Sequence, residues 1–158
     1  MDAAPDRAAL EEMDHLTIHE TPDKKLDHLV IVFSGWADAA ESATSAVNFL
    51  QRKLHAKKFA EIDPEDFYDF TVVRPQTRIN RRGERIIRWP TNDFYYFAPE
   101  DDSGGLLLFN GTEPNLRWRS FSSLVTGMAE RCGVKLVVSL GALLDAVPHT
   151  REPKVTGP

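Results

Sequence analysis

The sequence holds a single cysteine, Cys132, so no internal disulfide can form. No apolar run exceeds five residues, the length of Leu29 to Phe33, whereas a membrane-spanning helix needs about 20. Near Met1 there is no basic stretch followed by an apolar one, so no export signal is read. With one cysteine and no such signal, the expected location is the cytoplasm. Proline (10) and glycine (9) are too few for a collagenous or linker-like chain. Neither common phosphate-cradling glycine motif occurs, nor does a G-x-S-x-G elbow. His15 and His19 have i, i+4 spacing near Glu12 but no supporting ligand pattern. No catalytic residue, metal site or cofactor is therefore assigned.

What is present suits one globular domain: 158 residues, 42% hydrophobic and 27% charged. The net charge of −5 is unevenly spread. Residues 1–28 carry eight acids and three bases, so residues 29–158 balance at 16 against 16. Residues 1–28 read as an acidic leader, partly ordered on the body, with Leu10, Met13, Leu16 and Ile18 available for a short helix or an edge strand. The neutral body argues against a nucleic-acid binder, which needs a basic surface. One basic block stands out. Six arginines face a single acid, Glu84, between Arg74 and Arg88. Arg78, Arg82 and Arg88 alternate with apolar neighbours there, as on the solvent face of a strand.

Leu29 to Phe33 reads as a strand covered on both faces. A helix follows, with Asp38 and Glu41 spaced as a capping box and Ala43, Ala46, Val47, Leu50 and Leu54 on one face to about Lys57. Leu106 to Phe109 is a second strand. Pro114 and Asn115 suit a helix start, with Phe121, Leu124, Val125, Met128 and Cys132 on its apolar face and Gly133 as its C-terminal cap. Val134 to Leu140 is a third strand, parallel to the second. Between these units, Phe67–Val73, Glu84–Trp89 and Phe94–Phe97 read as an antiparallel meander. The class is α/β with a parallel core.

In open α/β sheets, ligands bind beyond the carboxyl ends of the parallel strands. The loops 34–38, 110–115 and 141–149 meet there. A ligand at that edge would face Gly35, Trp36, Asp38, Gly111, Glu113, Asn115, Arg117 and His149. Asp38 and Asn115 also serve as ordinary helix caps. Arg117 and Arg119 oppose the dipole at a helix start, so Glu113 is expected to pair with one of them.

Several strings in this order closely resemble the proteasome assembly chaperone 2 family. They include Phe33 to Ala39, Phe59 to Glu65, Phe67 to Phe70, Trp89-Pro90, Phe94 to Tyr96, Gly111 to Arg119, and Leu140 to Leu144 with Val147 to Arg151. The resemblance implies a phosphorylase/hydrolase-like three-layer α/β/α sandwich and a chaperone-like role in proteasome assembly. It also implies that 29–158 is incomplete at its C-terminal end, since the family continues with further strands and helices. Ala40 stands where the family commonly has Gly. The expected function is a non-enzymatic protein-binding or assembly-chaperone-like one, with a protein partner or self-association as a homo-oligomer and neither nucleic acid nor membrane. The alternative is a small-molecule protein or enzyme, for a nucleoside or phosphate, using the strand-end loops.

Overall fold

The computed structural model describes residues 15–101, 103–152 and 154–157. The first half of the leader, residues 1–14, thus lies outside the described residues. The described residues form eight strands: β1 (Leu16–Ile18), β2 (His28–Ser34), β3 (Lys57–Ile62), β4 (Gln76–Ile79), β5 (Arg85–Arg88), β6 (Asp93–Phe97), β7 (Leu106–Thr112) and β8 (Leu136–Leu140). Two α-helices accompany them, α1 (Ser42–Lys53) and α2 (Trp118–Arg131). Six strands form one mixed sheet in the order β1-β3-β6-β7-β2-β8, and β4 and β5 pair by themselves.

The parallel core is β7-β2-β8. Strand β2 lies between the other two and is parallel to both, so the expected parallel relation holds through a shared neighbour. Strands β6, β3 and β1 extend the sheet antiparallel on the other side. Leu16–Ile18 takes the edge-strand alternative of the two open to it. The two helices take opposite faces, as the period-2 geometry of the strands reveals. Leu29, Leu107 and Phe109 point into a core with Phe121, Leu124, Val125 and Met128 of α2. Val32 and Leu108 point the other way, against Ala43 and Val47 of α1. The result is a three-layer α/β/α sandwich.

The layers are unequal. The α2 side holds the five fully buried phenylalanines, Phe59, Phe67, Phe94, Phe109 and Phe121. Each contributes about 1.5–3 kcal/mol through burial. Edge-to-face contacts such as Phe67 to Phe121, at 5.1 Å, fix their packing. The α1 side has a core of four buried apolar side chains, Val32, Ala43, Val47 and Leu108.

Several local expectations are corrected. Helix α1 stops at Lys53, and Lys57–Ile62 is strand β3, held by antiparallel pairing on both sides. Ala46 is exposed and Thr44 is buried in its place. Phe67–Val73 is not a strand. It is a loop that buries Phe67 and Tyr68 while Asp69 turns the chain by accepting hydrogen bonds from the Thr71 amide and hydroxyl. The meander does not form either: β6 joins the main sheet, while β5 pairs with β4 outside it. Among the described residues no helix is long and apolar enough to cross a membrane.

Candidate functional site at the strand ends

The carboxyl ends of β2 and β7 run in register to Ser34 and Thr112, whose hydroxyls lie 3.2 Å apart. Beyond them the chains diverge into two loops that grip each other. The Glu113 amide donates to the Ser34 carbonyl at 2.9 Å. The Glu113 carboxylate reaches back and accepts the Trp36 amide at 3.2 Å. Gly35 is what allows this approach. Its φ is +151°, and a Cβ there would lie 2.8 Å from Glu113 Oε2.

An open cleft of about 420 Å³ results, lined by Ser34, Gly35, Val73, Thr112, Glu113, Pro114, Asn115 and Trp118. Its lining has one ionisable side chain, the Glu113 carboxylate, a poor neighbour for an anion. Trp36 stands beside it, 81% exposed, and Trp118 is half exposed at the start of α2.

The loop 63–73 closes one side. Tyr68 is buried, with its hydroxyl 2.6 Å from both Asn92 Oδ1 and the Thr112 carbonyl. Burial raises its pKa above the ordinary phenol range, while the Asn92 contact opposes the rise. Asn92, fully buried, also accepts the Thr112 amide at 3.1 Å. Asn115 accepts the Asp69 amide at 3.1 Å, and its own amide donates to the Phe67 carbonyl. Loop 63–73 is therefore pinned to the cleft at both Thr112 and Asn115.

The residues expected at this edge divide. Gly35, Trp36, Glu113 and Asn115 come together at the cleft. Gly111 is buried beneath it, where a Cβ would strike the Phe109 ring at 2.6 Å. Asp38 turns inward. Its carboxylate accepts the Ala43 and Thr44 amides and the Thr44 hydroxyl at 2.6 to 3.2 Å. It caps α1 across an intervening 3₁₀ turn, Ala39–Glu41, rather than through a capping box. Asn115 is not a cap, because α2 begins only after Arg117, which sits at φ +51°. His149 stands apart, exposed in the stretch after β8.

Arg117 finds an acid, but not Glu113. It pairs with Asp66 at 2.7 Å, and His15 approaches the same carboxylate at 3.2 Å. Sequence reasoning missed Asp66, and missed Val73 and Trp118 as cleft walls. The only available signal was the spacing of Asp63, Pro64, Asp66 and Asp69, which favours a loop over a strand. Among the described residues no group of three or more His, Cys, Asp or Glu could hold a metal ion.

The architecture is thus a mixed α/β/α sandwich whose strand-end loops are bonded to each other and flanked by tryptophans. The chain belongs to the PAC2 family, whose model matches residues 32–158. It is similar to the crystal structure of a PAC2 family protein from Streptomyces avermitilis, with 42% identity and a TM-score of 0.70 over 79% of this chain and 53% of that one. It is also similar to the Mycobacterium tuberculosis proteasome-assembly chaperone homologue Rv2125, with 37% identity and a TM-score of 0.70 over 78% of this chain and 52% of that one. The fold alone is shared with Pyrococcus furiosus PbaB, an archaeal proteasome activator, at 21% identity and a TM-score of 0.53 over 78% of this chain and 49% of that one. The chain thus spans about half the length of these solved structures. No curated protein sequence matches.

Proposed function

We propose that this chain is a protein-binding, assembly-chaperone-like member of its family that acts in the cytoplasm and uses the strand-end cleft as its contact surface. The observation that carries this reading is the pairing of exposed Trp36 and Trp118 with polar groups already engaged. Asp38 caps a helix, Glu113 holds a loop, and Asn115 holds another. Tryptophan-rich surfaces of this kind are the usual anchors of protein interfaces. Similarity to a proteasome-assembly chaperone homologue makes unassembled proteasome subunits the first partner to test.

The test mixes the purified chain with separate α- and β-type proteasome subunits from Mycobacterium tuberculosis. Binding to free subunits, weakened at least tenfold in W36A/W118A, is expected; a hot-spot residue typically contributes about 2 kcal/mol or more. Absence of binding, or binding that both substitutions leave unchanged, overturns the reading. A second reading, a nucleoside or phosphate site, has the cleft volume in its favour, since small-molecule pockets span about 300–1,000 Å³. Thermal stabilisation by a nucleoside that E113Q abolishes, or by inorganic phosphate that E113Q strengthens by removing a like charge, would move the assignment to it.

A further inference from the structure

Strands β4 and β5 form a two-stranded ribbon that no described residue covers on either face. All eight of their residues are exposed. Residues directly opposite share a face, and the pairs Thr77↔Ile87 and Ile79↔Arg85 place Ile79 and Ile87 together. Both are more than 60% exposed, and Trp89, two residues beyond Ile87, is half exposed. An isolated two-stranded hairpin is marginal in water. This one is also burdened by charge, since residues 74–89 carry six arginines against Glu84. Apolar side chains in water and cations repelling one another both call for a cover that is acidic and carries apolar residues.

This chain supplies such a segment. Residues 1–14 hold five acids (Asp2, Asp6, Glu11, Glu12, Asp14) against Arg7, with Leu10 and Met13 among them. The segment joins the body beside the root of the ribbon. The His15 ring packs edge-on against Phe67, and Phe70, one turn of loop away, packs edge-on against Trp89 at 4.9 Å. Fourteen extended residues reach up to roughly 46 Å, against about 14 Å for a four-residue strand, so length is no obstacle.

We propose that residues 1–14 dock on the arginine- and isoleucine-bearing ribbon of their own chain, the acids meeting Arg81, Arg82 and Arg85 and the apolar side chains covering Ile79, Ile87 and Trp89. The aliphatic residues favour a protein segment over RNA, which would use arginine and stacking rings without isoleucine.

Amide hydrogen exchange over residues 76–88 tests this on the full chain at low salt. Neutralising the five acids (D2N, D6N, E11Q, E12Q, D14N) is expected to speed exchange in the ribbon about tenfold while leaving β2 and β7 unchanged, because local opening is read independently of the core. Salt at about 1 M should have the same effect on the unmodified chain through screening. The charge reversal R81E/R82E/R85E should also expose the ribbon, and replacing the leader acids with lysine in that background should restore its protection. Equal ribbon exchange in the unmodified and neutralised chains overturns the proposal. Protection that grows with protein concentration also overturns it, since the leader would then be covering a second copy.

Discussion

Ala40 and Glu41 both sit at φ +55°, in the left-handed region that costs an L-residue about 1–2 kcal/mol. The resemblance noted in the sequence places Gly at position 40, and the backbone shows why. A40G is expected to stabilise the chain by about 0.5–1 kcal/mol, less than the full strain because glycine gains freedom on unfolding. Urea unfolding measures it; a loss of stability would mean the strain is absorbed elsewhere. Two residues earlier, D38A is expected to cost about 1–2 kcal/mol, in the range of a lost helix cap. If D38A instead left stability unchanged, its carboxylate would be free for another role. Cys132 lies at the foot of α2, where burial raises its thiol to about 11 against a smaller lowering by Arg131. Alkylation at neutral pH should therefore be slow until the chain unfolds.

Strand β8 is the outer member of the parallel core, and its lower end is tied by one ion pair. Asp27, just before β2, accepts Lys135 at 2.9 Å, and its carbonyl takes the Lys135 and Leu136 amides. The hydrogen bond from Lys135 comes first among the influences that hold the Asp27 carboxyl below its ordinary 3.8, against some desolvation. A lowered folded-state pKa stabilises the fold above the unfolded value and is lost as pH falls through the folded one. D27N should therefore flatten the loss of stability below about pH 4, with the largest difference from the unmodified chain near neutrality. Denaturant titrations at pH 7 and at pH 3 decide this; an equal deficit at both would show that the ion pair contributes nothing.

The whole molecule is lopsided. One face of the sheet carries a thick aromatic core under α2 and the other a thin one under α1. At the open edge, Leu136, Val137 and Val138 of β8 are all exposed. An exposed apolar edge strand is a template for pairing with another chain. We expect the 158-residue chain to self-associate through β8, and V137K, which places a charge on that edge, to shift it toward monomer. Sizing across a concentration series is the measurement. A monomer at every concentration, indifferent to V137K, would show that the edge is tolerated in water.

The sequence alone determined the elements whose signal is local. The runs Leu29–Phe33 and Leu106–Phe109, the stripe from Phe121 to Met128 and the glycine stop at Gly133 each carry their own period or backbone requirement. With the shared strings they were enough for the α/β class and the family. Strand β3 was hidden because Lys57–Ile62 continues a helical-looking stretch, and only pairing with β6 and β1 makes it a strand. The strand-end cleft was legible from Gly35, Trp36, Glu113 and Asn115, since loops after parallel strands must meet. Which charges meet was not. Arg117 takes Asp66 rather than Glu113, 51 residues back in the chain, because burying Phe67 and Tyr68 brings their loop against the start of α2. Local preference acts over a few residues and is written in their order, whereas partnership between distant side chains exists only once packing has brought them together.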